Sequence, residues 1–98
     1  VWNPFLSWNA PRETGMGWYN LGVYYNERSQ PDEAWSAFEE ANRMLSDFPP
    51  LLLNLGVAYA QRGDLETSTR LFERVLELDP ANEQAKRNLQ INRNRVHP

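Results

Sequence analysis

A repeat of 34 residues constrains this chain more than any other feature. Asn20, Leu21, Gly22, Val23 and Tyr25 recur as Asn54, Leu55, Gly56, Val57 and Tyr59, and the same offset carries Arg28 to Arg62, Phe38 to Phe72 and Glu39 to Glu73. Pairing residues 15–48 with 49–82 without a gap gives eight identities. Unrelated segments of that length share about two, from a random identity of roughly 6% per position. Asn88-Leu89 lies one further period on, with Gln90 in the glycine's place, and reads as a truncated third copy that caps the array. Near-copies at such a period fold as supersecondary units stacked on their neighbours.

Inside each copy the apolar period is helical. Trp18, Leu21, Gly22 and Tyr25 follow the i, i+3, i+4, i+7 spacing that lines one helix face, and Ala34, Phe38, Ala41 and Leu45 supply an antiparallel partner. Gly22 and Gly56 sit mid-helix, where glycine costs about 1 kcal/mol relative to Ala, so the missing side chain admits a neighbouring helix. Breaks fall at Ser29-Gln30-Pro31, Pro49-Pro50, Gly63-Asp64 and Asp79-Pro80. Pro31 suits a first helical turn, Gly63 a left-handed terminus and Asp64 a cap. The spacing predicts five helices near 16–28, 32–46, 50–62, 65–78 and 83–95, with no competing strand pattern.

Composition removes several function classes. The 98 residues suit one domain, and a net charge of −3 gives no basic footprint for nucleic acid. Cysteine is absent, so neither disulfides nor thiolate metal sites form, and no cofactor is expected. The longest purely aliphatic stretch is Leu51-Leu52-Leu53, so no direct membrane insertion is expected. The single His97 is penultimate, and no phosphate loop or nucleophile elbow occurs, which argues against an enzyme. The compartment is not legible. The first residue is Val1, which reads as a piece of a longer or processed protein.

Trp18 through Gly22, with Tyr25, Ala34, Phe38 and Ala41, resembles the tetratricopeptide repeat. The second copy matches through Leu55, Gly56, Tyr59, Gly63, Asp64, Phe72 and Asp79-Pro80. It departs at Leu52, Ser68 and Val75, where tryptophan and two alanines are usual. The first copy departs at Ser29, where a turn glycine is usual, and at Ser46, where the closing proline is missing. The resemblance implies an all-α, right-handed α-α superhelix of two antiparallel helix pairs plus a capping helix. On that reading residues 1–14 are an aromatic N-terminal extension and 15–98 the repeat domain, with repeats 15–48 and 49–82 and a capping helix 83–96. It further implies a scaffold or adaptor module that binds a peptide or partner protein in a groove lined by the first helix of each pair. The alternative is an accessory or self-association domain from a larger enzyme or membrane-associated assembly.

The residues expected to hold such a peptide are Tyr19, Asn20, Val23, Leu53, Asn54, Val57, Arg87, Asn88 and Ile91, with Met16, Asn26, Glu27, Ala60, Gln61, Asn94 and Arg95 on the same inner surface. The family's chaperone-carboxylate clamp is not expected, because its positions carry Tyr19, Val23, Asn54, Gln84 and Asn88 and only Asn54 fits. Asn20, Asn54 and Asn88 form a ladder at the repeat period. They either hydrogen-bond a peptide backbone or serve the fold alone. The last helix sets Lys86, Arg87, Arg93 and Arg95 against Glu83, either as a solvated cap or to attract an acidic partner. Trp2, Phe5 and Trp8 precede the first helix. They either cover the exposed edge of the first helix pair, fill a groove of the same or a neighbouring molecule, or meet an upstream domain. Homo-oligomers have a physical motive, since stable stacks usually need about three repeats.

Overall fold

Three of the five helices among the described residues open on proline, whose fixed φ and missing N–H suit a first turn. The computed structural model describes residues 11–96, which form α1 (Pro11–Glu27), α2 (Pro31–Met44), α3 (Pro49–Gln61), α4 (Leu65–Leu78) and α5 (Glu83–Val96), with no strand among them. The all-α expectation holds. One boundary differs: α1 begins at Pro11 rather than near 16, so residues 11–14 of the expected extension are helical. Proline at position 11 starts a helix as Pro31 and Pro49 do, and nothing in Arg12-Glu13-Thr14 breaks it. Trp2, Phe5 and Trp8 lie outside the described residues.

The described residues fall into two compact units that part between Ser46 and Asp47. In the first, α1 packs on α2 over Ala34, Ala37, Phe38 and Ala41, all buried. Here Gly22 has the role its mid-helix position predicts: a Cβ there would lie 2.5 Å from Phe38 Cδ1. Phe38 itself is 1% exposed, so its ring occupies the volume that glycine vacates. Ser29 closes α1 in the left-handed region, φ 58°, with Gln30 as the N-cap of α2 and no side-chain cap bond.

In the second unit α3 packs on α4 and α4 on α5, around Leu52, Phe72, Val75, Ala85 and Leu89. The Gly56–Phe72 contact repeats the first unit's, with a Cβ at Gly56 lying 2.5 Å from Phe72 Cε1. The turn here is the better built of the two. Gly63 takes φ 89°, and Asp64 accepts from the Thr67 N–H at 3.0 Å and from its hydroxyl at 2.8 Å. Asn82 caps α5 by accepting from Ala85 N–H at 2.9 Å.

The two turns predict their own repair. Ser29→Gly removes a left-handed non-glycine residue, which costs about 1–2 kcal/mol less the extra entropy of an unfolded glycine. Gln30→Ser supplies a capping hydroxyl, with Glu33 placed to complete a capping box, and contributes about 1 kcal/mol. The double variant is expected to gain about 1–2 kcal/mol in urea unfolding. No gain would mean the first turn already has its preferred geometry.

Where the closing proline is absent, Asp47 does the anchoring. It sits at φ 56°, and its carboxylate takes a two-pronged bond from Arg74 of α4, Nε to Oδ1 at 2.9 Å and Nη2 to Oδ2 at 2.7 Å. That bond holds the Asp47 carboxyl below the usual carboxylate range and raises Arg74, while the Thr67 backbone N–H, then its hydroxyl, lower Asp64. A carboxyl depressed by folding stabilises above its unfolded pKa, near 4, and the contribution is lost as pH falls through the folded value. The melting temperature of the wild type should therefore exceed that of Asp47→Asn/Asp64→Asn at pH 6. The gap should close as pH falls below about 4. A gap that persists at pH 2 would put the effect elsewhere.

Candidate functional site

In the first unit the expected binding residues lie on α1. Asn20 is exposed and Val23 half-buried. Tyr19 is half-buried, with its ring centroid 6.0 Å from that of Phe38, so part of it packs against α2 instead of pointing wholly away from the partner helix.

The second unit brings more of the set together. Val57, Ala60 and Gln61 of α3 and Asn88, Ile91 and Arg95 of α5 line a slot of about 160 Å³, together with Phe72 and Asn92. The slot exists because α5 docks through Ala85, Leu89 and Asn92, which leaves the neighbouring stripe of that helix facing outward. Ile91 remains 47% exposed, a large aliphatic side chain at the slot's edge. Arg87, Ile91 and Arg95 stand at i, i+4 and i+8, one line along α5. Leu53 packs on the core cluster, as Val57 also does in part.

The asparagine ladder divides. Asn54 donates its Nδ2 to the carbonyl of Pro50 at 3.0 Å, one turn back on its own helix, so that donor serves α3. Asn88 instead lines the slot, half-buried, with an amide able to donate and accept toward a ligand.

A polar chain missed by the sequence reading lies beneath the slot. Ser68 Oγ donates to the Gly56 carbonyl at 2.7 Å and accepts from Asn92 Nδ2 at 3.0 Å, and that Nδ2 also reaches Thr69 Oγ1 at 3.3 Å. Ser68 and Asn92 are both buried. The signal available was Ser68 at a position where the family usually has alanine. Its partner stands 24 residues away on another helix, which no local pattern discloses.

Among the described residues no three or more His, Asp or Glu side chains gather as metal ligands, and no helix is long and apolar enough to cross a membrane.

The tetratricopeptide repeat family model matches residues 25–90 of the chain. The human protein named Protein O-mannosyl-transferase TMTC3 is 33% identical over 72 residues, which is 72% of this chain and 8% of that protein. The chain therefore spans a small fraction of the relative it matches.

Proposed function

The chain belongs to the tetratricopeptide repeat family, whose members generally mediate contacts between proteins and are typically not catalytic, and from that premise we propose that it is a scaffold or adaptor module that holds a peptide or partner protein in an apolar groove. The observation that carries this reading is the slot between α3 and α5, apolar at Val57 and Ile91, with the Asn88 amide beside them. In this scheme Val57 and Ile91 take an apolar side chain, and Asn88 binds the ligand's backbone. Leu53 and Asn54 add contacts on α3 of the same unit, and Tyr19, Asn20 and Val23 are the corresponding contact residues on α1 of the first unit.

The choice of probe follows from burial. Tyr19 and Leu53 pack against their own units, so truncating them confounds binding with stability. Ile91 is half exposed, and Ile91→Ser is expected to leave the fold intact while weakening capture. An affinity pull-down should recover a partner with the wild type and lose it with Ile91→Ser/Asn88→Ala. Identical recovery by both would move the site off the slot.

A second reading has its own support. The similarity to a small part of a protein named as an O-mannosyl-transferase favours an accessory domain within a larger enzyme or membrane-associated assembly. The full reading frame tests it: a catalytic domain in the same polypeptide supports the accessory role, while further 34-residue repeats alone support a free scaffold. Self-association is a third partner choice, checked by sedimentation of the purified domain across a concentration series.

A further inference from the structure

Ion pairing is unevenly distributed over the cations of this protein. Arg43 pairs with Glu40, Arg70 with Glu66, Arg74 with Asp47 and Lys86 with Glu83, while Arg28 stacks over Tyr24 at 4.8 Å. Among the described residues no carboxylate pairs with Arg87, Arg93 or Arg95, all on α5. Arg95 makes one bond at the edge of range, Nη1 to the Ala60 carbonyl at 3.5 Å, which uses one of its five N–H donors and holds the guanidinium at the end of the slot. In a chain of net charge −3, α5 thus presents three arginines without a carboxylate partner among the described residues, two of them bracketing Ile91.

We infer that the slot selects an extended peptide segment with the pattern acid-x-aliphatic-x-acid, its central side chain entering between Val57 and Ile91 and its two carboxylates meeting Arg87 and Arg95. This rests on the peptide-binding reading above and adds the ligand's chemistry. The spacing supplies the pattern. Arg87 and Arg95 are eight residues apart, about 12 Å along a helix rising 1.5 Å per residue. In an extended strand, side chains at i, i+2 and i+4 share one face, and four residues span about 13 Å. The two carboxylates and the aliphatic group therefore fall in register with Arg87, Ile91 and Arg95. Asn88, one residue from that line, is placed for the strand's backbone. Guanidinium groups suit the carboxylates because they present paired donors in a plane.

The probe is the capped peptide Gly-Gly-Glu-Ser-Leu-Ser-Glu-Gly-Gly, titrated into the full chain labelled with 15N, with amide shifts as the readout. Shifts are expected at Arg87, Asn88, Ile91, Arg95 and Val57. Exchanging both peptide glutamates for Gln, or introducing Arg87→Gln/Arg95→Gln, should each weaken binding about tenfold, since two partly exposed ion pairs are at stake. Closing the spacing to Glu-Leu-Glu should weaken it similarly. If the Gln peptide binds the same residues equally well, the acidic pattern is wrong and the groove reading survives. If neither peptide shifts α3 or α5, and Ile91→Ser also fails to affect partner capture, both fall. Concentration-dependent shifts at the same residues of the labelled chain alone, with no peptide present, would make a second copy the occupant and overturn the inference.

Discussion

Gly56→Val is expected to cost about 3 kcal/mol or more, and Gly56→Ala about 1–2 kcal/mol, although alanine in a helix ordinarily gains about 1 kcal/mol over glycine. The reversal follows from Phe72, whose Cε1 and Cζ would lie 2.5 and 2.7 Å from the new Cβ. The ring is 1% exposed and packs in the core with Val75 and Leu52, so it has no void to enter. Relief has to come from separating α3 and α4, which loosens the whole second unit. For a chain of this size, with total stability of about 5–15 kcal/mol, the valine variant removes a large share. An internal control exists at Gly17, which is helical and exposed with nothing within 4 Å of an added Cβ. Gly17→Ala should gain about 0.5–1 kcal/mol. Phe72→Leu should destabilise the wild type yet recover part of the loss in the Gly56→Ala background. Urea unfolding of the five variants reads all of this, and equal gains from alanine at 17 and 56 would refute the packing account.

The same contact shows what the sequence could disclose. Gly22 with Phe38 and Gly56 with Phe72 are one spacing written twice, and a glycine that costs helix stability at both points implies a close neighbour without any coordinates. The five helices and the stripe of Val57, Asn88 and Ile91 followed from the same periodicity. What stayed hidden depends on chain ends and distant partners. Nothing before Trp18 is periodic enough to place the start of α1 at Pro11. Ser29 enters the left-handed region because α1 and α2 on either side of it oblige the chain to turn, and residue type alone disfavours it. Arg74 lies 27 residues from Asp47, and Asn92 lies 24 from Ser68, so both bonds are consequences of packing already achieved. Asn20, Asn54 and Asn88 look equivalent by period. Only neighbours distinguish Asn54, whose amide returns to Pro50, from Asn88, which lines a slot.

Ser68→Ala, which restores the family's usual residue, is expected to destabilise the second unit by about 1–3 kcal/mol. Alanine is the better helix former, so propensity alone predicts a small gain. Against it stands the buried amide of Asn92, which would keep only its 3.3 Å contact with Thr69 Oγ1 after losing the Ser68 hydroxyl at 3.0 Å. Among the described residues every buried side-chain polar atom now has a partner, so the variant creates a deficit where none exists. Asn92→Leu should cost less, about 1 kcal/mol, because Ser68 still donates to the Gly56 carbonyl. Ser68→Ala/Asn92→Leu removes both polar groups together and is expected to cost less than the sum of the single variants, by an interaction energy of about 1–2 kcal/mol. Hydrogen exchange should localise the single-variant defect: amides of α5 lose protection first, since Asn92 is the polar tie that fixes this last helix to α4. If the two single costs simply add in the double variant, Ser68 and Asn92 act independently and the tie does not exist. The outcome reaches the proposed binding face directly, because Asn92 helps hold in place the helix that presents Arg87, Ile91 and Arg95.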